Sequence, residues 1–476
     1  MSVPAFASAP RSGLTRLVKY LELVVVGIAA VAAGGAVMLF ASLFGDAAPL
    51  AAVAIVGIPL IALGMLLNPL IGALVVFLSF PFGSTGVPAG PVTVQGAEAA
   101  VLFVAVVIAL RRLANGRTPF RWSWALYGAA AMAAWMLVSF YGALSHSLAT
   151  KAVISFVGAI VFSCVILSVA ESFGDVRWIL GAFVLAAAII AALGLSSGSG
   201  VASSSSGGEV ISGRLTTAFS SPNQLGTLCA MAFPVATALM LVSRRFLGRI
   251  AAGVAMLLVI SALGLSLSRG AWLGAGVAFL FMLLTMREAR RFVALVGIPL
   301  AIVGVVIYAY ARPTSPEIKV INERAHAFTK LSPYDSRNDI WREALREAKA
   351  HPVTGEGPGS FVVASSRAGS EASTIQAEHA HNLWLNTAAE QGFPADALLA
   401  AFVAALVIAG SRVSSRLRYR RAGPERVLTL GVAAALIALL GQEMLDHTLT
   451  NPVVRIAAWG LIGCLLAADR LSAART

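Results

Sequence analysis

Charge is scarce in this chain. Asp, Glu, Lys and Arg make up only 12% of its 476 residues, where soluble globular proteins carry about a quarter. Together with a hydrophobic content of 58%, that shortage excludes a water-soluble globule. Cysteine is scarce as well. Cys164, Cys229 and Cys464 each sit inside an apolar run, and an odd, scattered trio gives neither a disulfide framework nor a metal site. There is no HExxH zinc motif, whose two histidines must lie four residues apart to share one helix face. The glycine run "GEGPGS" at 355–360 follows no buried strand, so it reads as turn chemistry rather than a nucleotide loop.

Long apolar runs stand where the charge is missing. A membrane span needs roughly 20 mostly apolar residues, and about fourteen stretches qualify: 21–44, 49–67, 68–82, 98–111, 123–143, 150–170, 176–195, 224–243, 249–267, 270–286, 292–310, 394–411, 427–442 and 453–468. The third and fourth are short, so the count runs from twelve to fourteen. The pattern predicts an all-α polytopic membrane protein. Its first run is longer than the apolar core of a secretory signal and is followed by further spans, so it reads as a retained helix.

The net charge of +13 reports topology rather than nucleic-acid binding. Arginine clusters around Arg16, Arg112, Arg245, Arg290, Arg418 and Arg470 fall at every second connection. That alternation marks one cytoplasmic face and predicts that both termini lie on it. The opposite face receives loop 195–223, the turn at Arg269, segment 311–393 and the turn 443–452. The chain therefore divides into transmembrane helices one to eleven over 1–310, a large loop over 311–393, and C-terminal transmembrane helices over 394–476.

Within the loops, "SSGSGVASSSSGG" at 196–208 is Ser/Gly-rich and predicts flexibility. In "SRNDIWREALREAKA" the residues Ile340, Trp341, Ala344, Leu345 and Ala348 recur at helical spacing. Ser336 with Asp339 resembles a capping arrangement there, and Pro352 lies beyond the end. A second loop helix is expected from about Glu378 to Gln391, closed by Gly392 with Pro394 following.

On such a helix His379 and His381 would point about 200° apart and face different ligands, so no metal site is expected. His381 would share a face with Leu385 and Ala388. A neutral imidazole can accept a proton from a hydroxyl; the competing reading is a headgroup-level histidine satisfied by water. Arg269, in "LSLSRGAWLG", lies between two apolar runs at the membrane boundary, where a charge is costly and therefore points to function or to snorkelling. Arg214 is the sole basic residue of its loop. Two planar guanidiniums suit a diphosphate, whose oxygens each can grip with paired donors. Arg337, Asp339 and Glu343 read as a solvated helix face. Glu390 ends the His381 helix, while Glu443, Asp446 and His447 stand at the outer end of the thirteenth span, in contact with an acceptor or with headgroups.

The ordered set "GRLTTAFSSPNQLG", "SLSRGAWLG", "RNDIWREALREAKAHPVTGEGPGSF" and "HNLWLNTAAEQGF" resembles the O-antigen ligase and polymerase superfamily of bacterial membrane glycosyltransferases, over roughly residues 200 to 410. The resemblance implies a GT-C type architecture, commonly of twelve spans, with a large periplasmic loop. It also implies transfer of a glycan from undecaprenyl diphosphate to an acceptor hydroxyl at the periplasmic face of the bacterial inner membrane. The acceptor is a lipid A core sugar for ligases and the growing chain for polymerases; a related branch glycosylates protein. The family's loop histidine, in its H-N motif, falls on His381 beside Asn382, and its two arginines fall on Arg214 and Arg269. Arg337, His379, Asn382, Glu390, Asp446 and His447 are expected to serve the acceptor or support the site. Such enzymes are metal-independent, inverting and without cofactor. The expectation is thus a ligase-like glycosyltransferase, with a polymerase as the alternative and a lipid-linked substrate transporter as a more distant one.

Overall fold

The computed structural model describes residues 57–83, 86–89, 92–197, 201–206, 209–217, 219–299, 337–367, 377–418 and 423–474. The first predicted span, the start of the second, the end of the eleventh, and residues 311–336 with the capping residue Ser336 lie outside the described residues.

The chain forms two compact units, one of 1–73 with 106–119 and one of 74–105 with 120–476. Helices α1 (Ile58–Leu67), α2 (Leu70–Leu78) and α3 (Gly96–Ala114) open the described chain. In the first unit Arg111 Nε donates to the carbonyl of Leu66 at 2.9 Å. The strands β1 (Gly86–Ala89) and β2 (Val92–Gln95) pair antiparallel in the second.

The second unit continues with α4 (Leu126–Phe140), α5 (His146–Val169) and α6 (Phe173–Ser197). Strands β3 (Val201–Ser206) and β4 (Glu209–Leu215) then pair antiparallel, Ala202 opposite Arg214. The expectation of a flexible Ser/Gly loop is corrected here. Composition speaks for side chains, but a serine run keeps every backbone N–H and C=O available for a ladder. Next come α7 (Pro222–Val242), α8 (Phe246–Leu265), α9 (Arg269–Thr285) and α10 (Arg287–Phe292). The polar segment supplies α11 (Arg337–Ala350) and α12 (Phe361–Ser365), and the chain closes with α13 (Leu383–Arg418), α14 (Gly423–Glu443) and α15 (Pro452–Ala473).

Among the described residues seven helices, α5 to α8 and α13 to α15, are long and apolar enough to cross a membrane. An eighth arises if α9 and the helix after it, bent by 104°, count as one span. Burial separates their roles. α7 and α15 are buried almost all round, whereas α8 exposes Phe246, Leu247, Ile250, Val254, Leu257 and Ile260 along one stripe. That stripe would be unstable against water and is suited to lipid, because a helix apolar on every face belongs in a bundle or a bilayer. The protein is an integral membrane protein.

Small residues set how closely two of these helices approach. A Cβ on Gly274 of α9 would stand 2.2 Å from the Ala438 carbonyl oxygen of α14, and one on Gly441 would stand 2.9 Å from Gly274 Cα. Gly270 and Gly274 form the G-x-x-x-G spacing that lets helix backbones pack in lipid. Gly274→Val is therefore expected to cost about 1–3 kcal/mol by overpacking, read as a lower thermal midpoint of the purified protein in detergent. An unchanged midpoint would mean that α9 and α14 stand further apart than this.

Two further expectations are corrected in the polar segment. α13 starts at Leu383, not near Glu378, and residues 377–382 are irregular. The expected break at Gly392 is found: its φ of 76° and ψ of 171° are non-helical, so α13 is two helices joined at a kink there, the second carrying Pro394 near its start. On α11 the inward face carries Ile340, Glu343, Ala344, Glu347 and Ala348, while Leu345 is exposed. Glu343 is thus buried rather than solvated. Its charge is matched by Arg346, whose Nη2 and Nε donate to its carboxylate at 2.6 and 3.1 Å.

Candidate active site

Four chain segments far apart in sequence meet at one end of the second unit. α7 begins with the Ser221 hydroxyl accepting from the Asn223 N–H and with Pro222 in the first turn; proline suits that position because its missing N–H would be unbonded anyway. α9 begins with Ser268 accepting from the Ala271 N–H. α14 ends in a tight turn where the N–H groups of Leu445 and Asp446 both donate to the Gln442 carbonyl at 2.9 Å. The irregular segment 377–382 is tied down by Asn382, whose Oδ1 accepts from the N–H groups of Trp384 and Leu385 and whose Nδ2 donates to the Met444 carbonyl.

Among the described residues, Thr217, Leu267 and His381 are the non-glycine residues with positive φ, at 56°, 49° and 49°. Each is, or lies within three residues of, one of the sequence-predicted trio Arg214, Arg269 and His381. Left-handed backbone at such residues costs free energy and gathers where a side chain must be aimed.

The centre of the arrangement is Asp446, which is buried. Its Oδ1 accepts from His381 Nδ1 at 2.6 Å, from the His447 N–H at 2.9 Å and from His379 Nε2 at 3.4 Å. Its Oδ2 accepts from Asn223 Nδ2 at 2.5 Å, and Asn223 Oδ1 in turn accepts from Arg214 Nη2 at 2.7 Å. Arg214, also buried, spends its Nε on the Ser266 carbonyl at 3.0 Å. Burial alone would raise the Asp446 carboxyl. The hydrogen bonds and charge of His379 and His381 outweigh it and hold Asp446 well below the usual carboxylate range. An ionised carboxylate only accepts, so His381 Nδ1 carries a hydrogen, and in the neutral imidazole Nε2 is then the nitrogen with the lone pair.

A second imidazole–carboxylate pair lies alongside. His447 Nδ1 is 2.9 Å from Glu443 Oε2, while Glu443 Oε1 accepts from the N–H and hydroxyl of Thr448. The rings of His379 and His447 are 5.9 Å apart, and those of His379 and His381 are 4.5 Å apart. The expectation that the two loop histidines face different ligands is therefore corrected. They share Asp446 because 377–382 is not helical, so the angular argument does not apply. The donor atoms of His379, His381 and Asp446 lie within 4.8 Å of one another, a spacing that a metal ion can bridge.

Two cavities adjoin this cluster. A narrow polar pocket is lined by Arg214, Arg269, Arg337, Asn223, Gln442 and Asp446, among others, with free space of about 10 Å³. The other is much larger, about 800 Å³, mostly apolar, and follows α13 from Leu383 to Ser414, with His379 and His447 in its wall. Glu390 also faces it, but both oxygens of Glu390 accept backbone N–H groups, of Gly359 at 2.9 Å and Phe361 at 3.3 Å. It thereby holds the "GEGPGS" turn, in which Gly355, Gly357 and Gly359 all have positive φ, as turn chemistry predicts.

Of the sequence-predicted residues, Arg214, Arg269 and Arg337 meet in the polar pocket, and His381, His379 and His447 gather at or beside Asp446. Asn382 and Glu390 brace the backbone around them. Sequence reasoning missed Asn223, Gln442 and the pairing of Glu443 with His447. Asn223 and Gln442 lie at helix ends and were legible only as polar residues at a membrane boundary. Residues 254–400 match the sequence model of the O-antigen ligase family. No curated protein matches the chain. That segment contains Arg269, Arg337 and His381, and over it the chain is similar to the O-antigen ligase family, whose members are glycosyltransferase-like enzymes acting on lipid-linked glycans and acceptors.

Proposed function

We propose that the protein transfers a glycan from undecaprenyl diphosphate to an acceptor sugar hydroxyl at the periplasmic face of the bacterial inner membrane, as a GT-C type, inverting and metal-independent ligase. Asp446 is the observation that carries this reading, since one carboxylate orders both halves of the reaction. Through Oδ1 it sets the tautomer of His381; through Oδ2 and Asn223 it fixes Arg214. The acceptor hydroxyl gives its proton to His381 Nε2 as its oxygen attacks the anomeric carbon. The bond from that carbon to the diphosphate oxygen breaks, and Arg214, Arg269 and Arg337 stabilise the charge on the departing diphosphate. A single displacement inverts the anomeric centre. The polar pocket has room for about one water, so diphosphate entry requires the partly exposed side chains of Arg269 and Arg337 to move apart. The polyprenyl chain lies along the apolar cavity, and the polar segment carrying α11 and α12 presents the acceptor.

The test is turnover by protein in nanodiscs supplied with an undecaprenyl-diphosphate glycan and an acceptor, with EDTA present. Release of undecaprenyl diphosphate is expected at the same rate with and without the chelator. No release would end the glycosyltransferase reading. Release that EDTA abolishes and a divalent cation restores would make His379, His381 and Asp446 a metal centre. A deletion strain separates ligase from polymerase: loss of a ligase strands long glycans on the lipid carrier, loss of a polymerase strands single repeat units.

A further inference from the structure

Gln442 is fully buried, yet among the described residues neither its Oε1 nor its Nε2 has a hydrogen-bond partner. Buried side-chain polar groups are nearly always bonded, and an exception calls for an account. The backbone of Gln442 is already spent, because its carbonyl receives the N–H groups of Leu445 and Asp446 in the turn that delivers Asp446. Its side chain lines the arginine pocket. Gly270 makes room for it, since a Cβ there would stand 2.2 Å from Gln442 Oε1. A carboxamide with both ends unbonded is thus held against three guanidiniums and the first turn of α9.

The chemistry of the amide restricts what can satisfy it. Nε2 donates and Oε1 accepts. A diphosphate at neutral pH supplies acceptors and can answer Nε2 alone, so a ligand that answers both ends must place a donor beside a phosphate oxygen. A glycosyl diphosphate does this at one point: the substituent on C2 of the first sugar, a hydroxyl or an acetamido N–H, flanks the bond from the anomeric carbon to the phosphate. We infer that Gln442 reads the junction between diphosphate and first sugar, Nε2 donating to a phosphate oxygen and Oε1 accepting from the O–H or N–H on C2. The inference rests on the lipid-diphosphate reading above and makes Gln442 a specificity-determining contact for the donor. It explains why an amide, rather than a further arginine, stands there: a site built to bond a substrate O–H or N–H rejects the analogue lacking it.

The experiment uses the full chain in nanodiscs and three probes: undecaprenyl diphosphate bearing one N-acetylglucosamine, the same lipid bearing 2-deoxyglucose, and undecaprenyl diphosphate alone. Wild-type protein is expected to bind the first about tenfold more tightly than the second. Gln442→Met, similar in length and without polar atoms, is expected to erase that difference, to weaken the sugar-free lipid only slightly, and to keep the wild-type thermal midpoint or exceed it. Gln442→Glu, which removes the donor and adds a negative charge, should weaken all three probes. Equal binding of the two sugar-bearing lipids by wild type overturns the inference without recourse to any variant, and so covers the case in which Gln442→Met fails to fold. Undiminished discrimination in a folded Gln442→Met protein overturns it as well. Failure of the wild type to bind any lipid diphosphate falls instead on the proposed function, and is told apart because the other two outcomes require binding.

Discussion

His381→Ala is expected to lower the rate of glycan transfer by about 10²- to 10⁴-fold, the span typical of a lost general base, while donor binding and the thermal midpoint stay close to wild type. The His381 side chain is 29% exposed, so truncation opens no sealed cavity, and alanine leaves the arginine pocket untouched. Asp446→Asn should approach the same loss by another route. An amide can accept through its oxygen or donate through its nitrogen, so it no longer dictates that His381 Nδ1 carries the hydrogen. The pH dependence separates the two groups. The Asp446 carboxyl is depressed in the folded protein, so its contribution to stability is present above its unfolded value near 3.9 and is lost as pH falls through the lower folded value. Between pH 5 and 8 Asp446 stays ionised, so an acidic limb of the wild-type rate profile in that range is not the titration of Asp446. Steady-state rates with matched donor-binding curves decide the matter. A folded His381→Ala protein that transfers at the wild-type rate removes His381 as the base and turns attention to His447, whose Nδ1 lies 2.9 Å from Glu443 Oε2.

Hydropathy carried the fold further than motifs carried the site. The spans read at 150–170, 176–195, 224–243 and 249–267 reappear as α5 to α8 within a few residues, because in lipid a run of apolar residues has little choice but helix. Loops escaped that logic. The serine run at 201–206 became a strand through backbone pairing, and the stretch from Ala377 to Asn382 became irregular because Asn382 caps α13 from inside the predicted helix. The partners of the site residues escaped it for another reason. Asn223 and Asp446 are 223 positions apart, and no periodicity within either segment encodes that hydrogen bond. Glu343 misled for a related reason: a charged residue on a loop helix reads as solvated until the guanidinium that matches it, one turn along on Arg346, is seen to leave the carboxylate inside. Arg214, Arg269, His381 and Asp446, from four separate segments, gather at Asp446 and the polar pocket beside it.

Arg269→Ala is expected to reduce transfer by about 10²- to 10³-fold, the range for removing one donor from a preorganised charge-stabilising site. Arg269→Lys should recover little, because an ammonium keeps the charge but not the planar fork that grips two oxygens at once. The same exchange at Arg214 should be worse, for a separate reason. Arg214 divides its donors between the Ser266 carbonyl and Asn223 Oδ1, and a lysine nitrogen reaching one of them leaves the other buried and unmet, a cost that falls on stability as well as rate. Arg214 is joined to Asp446 through Asn223, so the losses from Arg214→Lys and Asp446→Asn should be less than additive, as for residues of one hydrogen-bond network. A double-mutant cycle on the transfer rate, run beside thermal midpoints, reads that coupling. If the Arg214 pair is additive, Asp446 does not order the diphosphate side through Asn223, and the base and the anion pocket work as independent parts of the site.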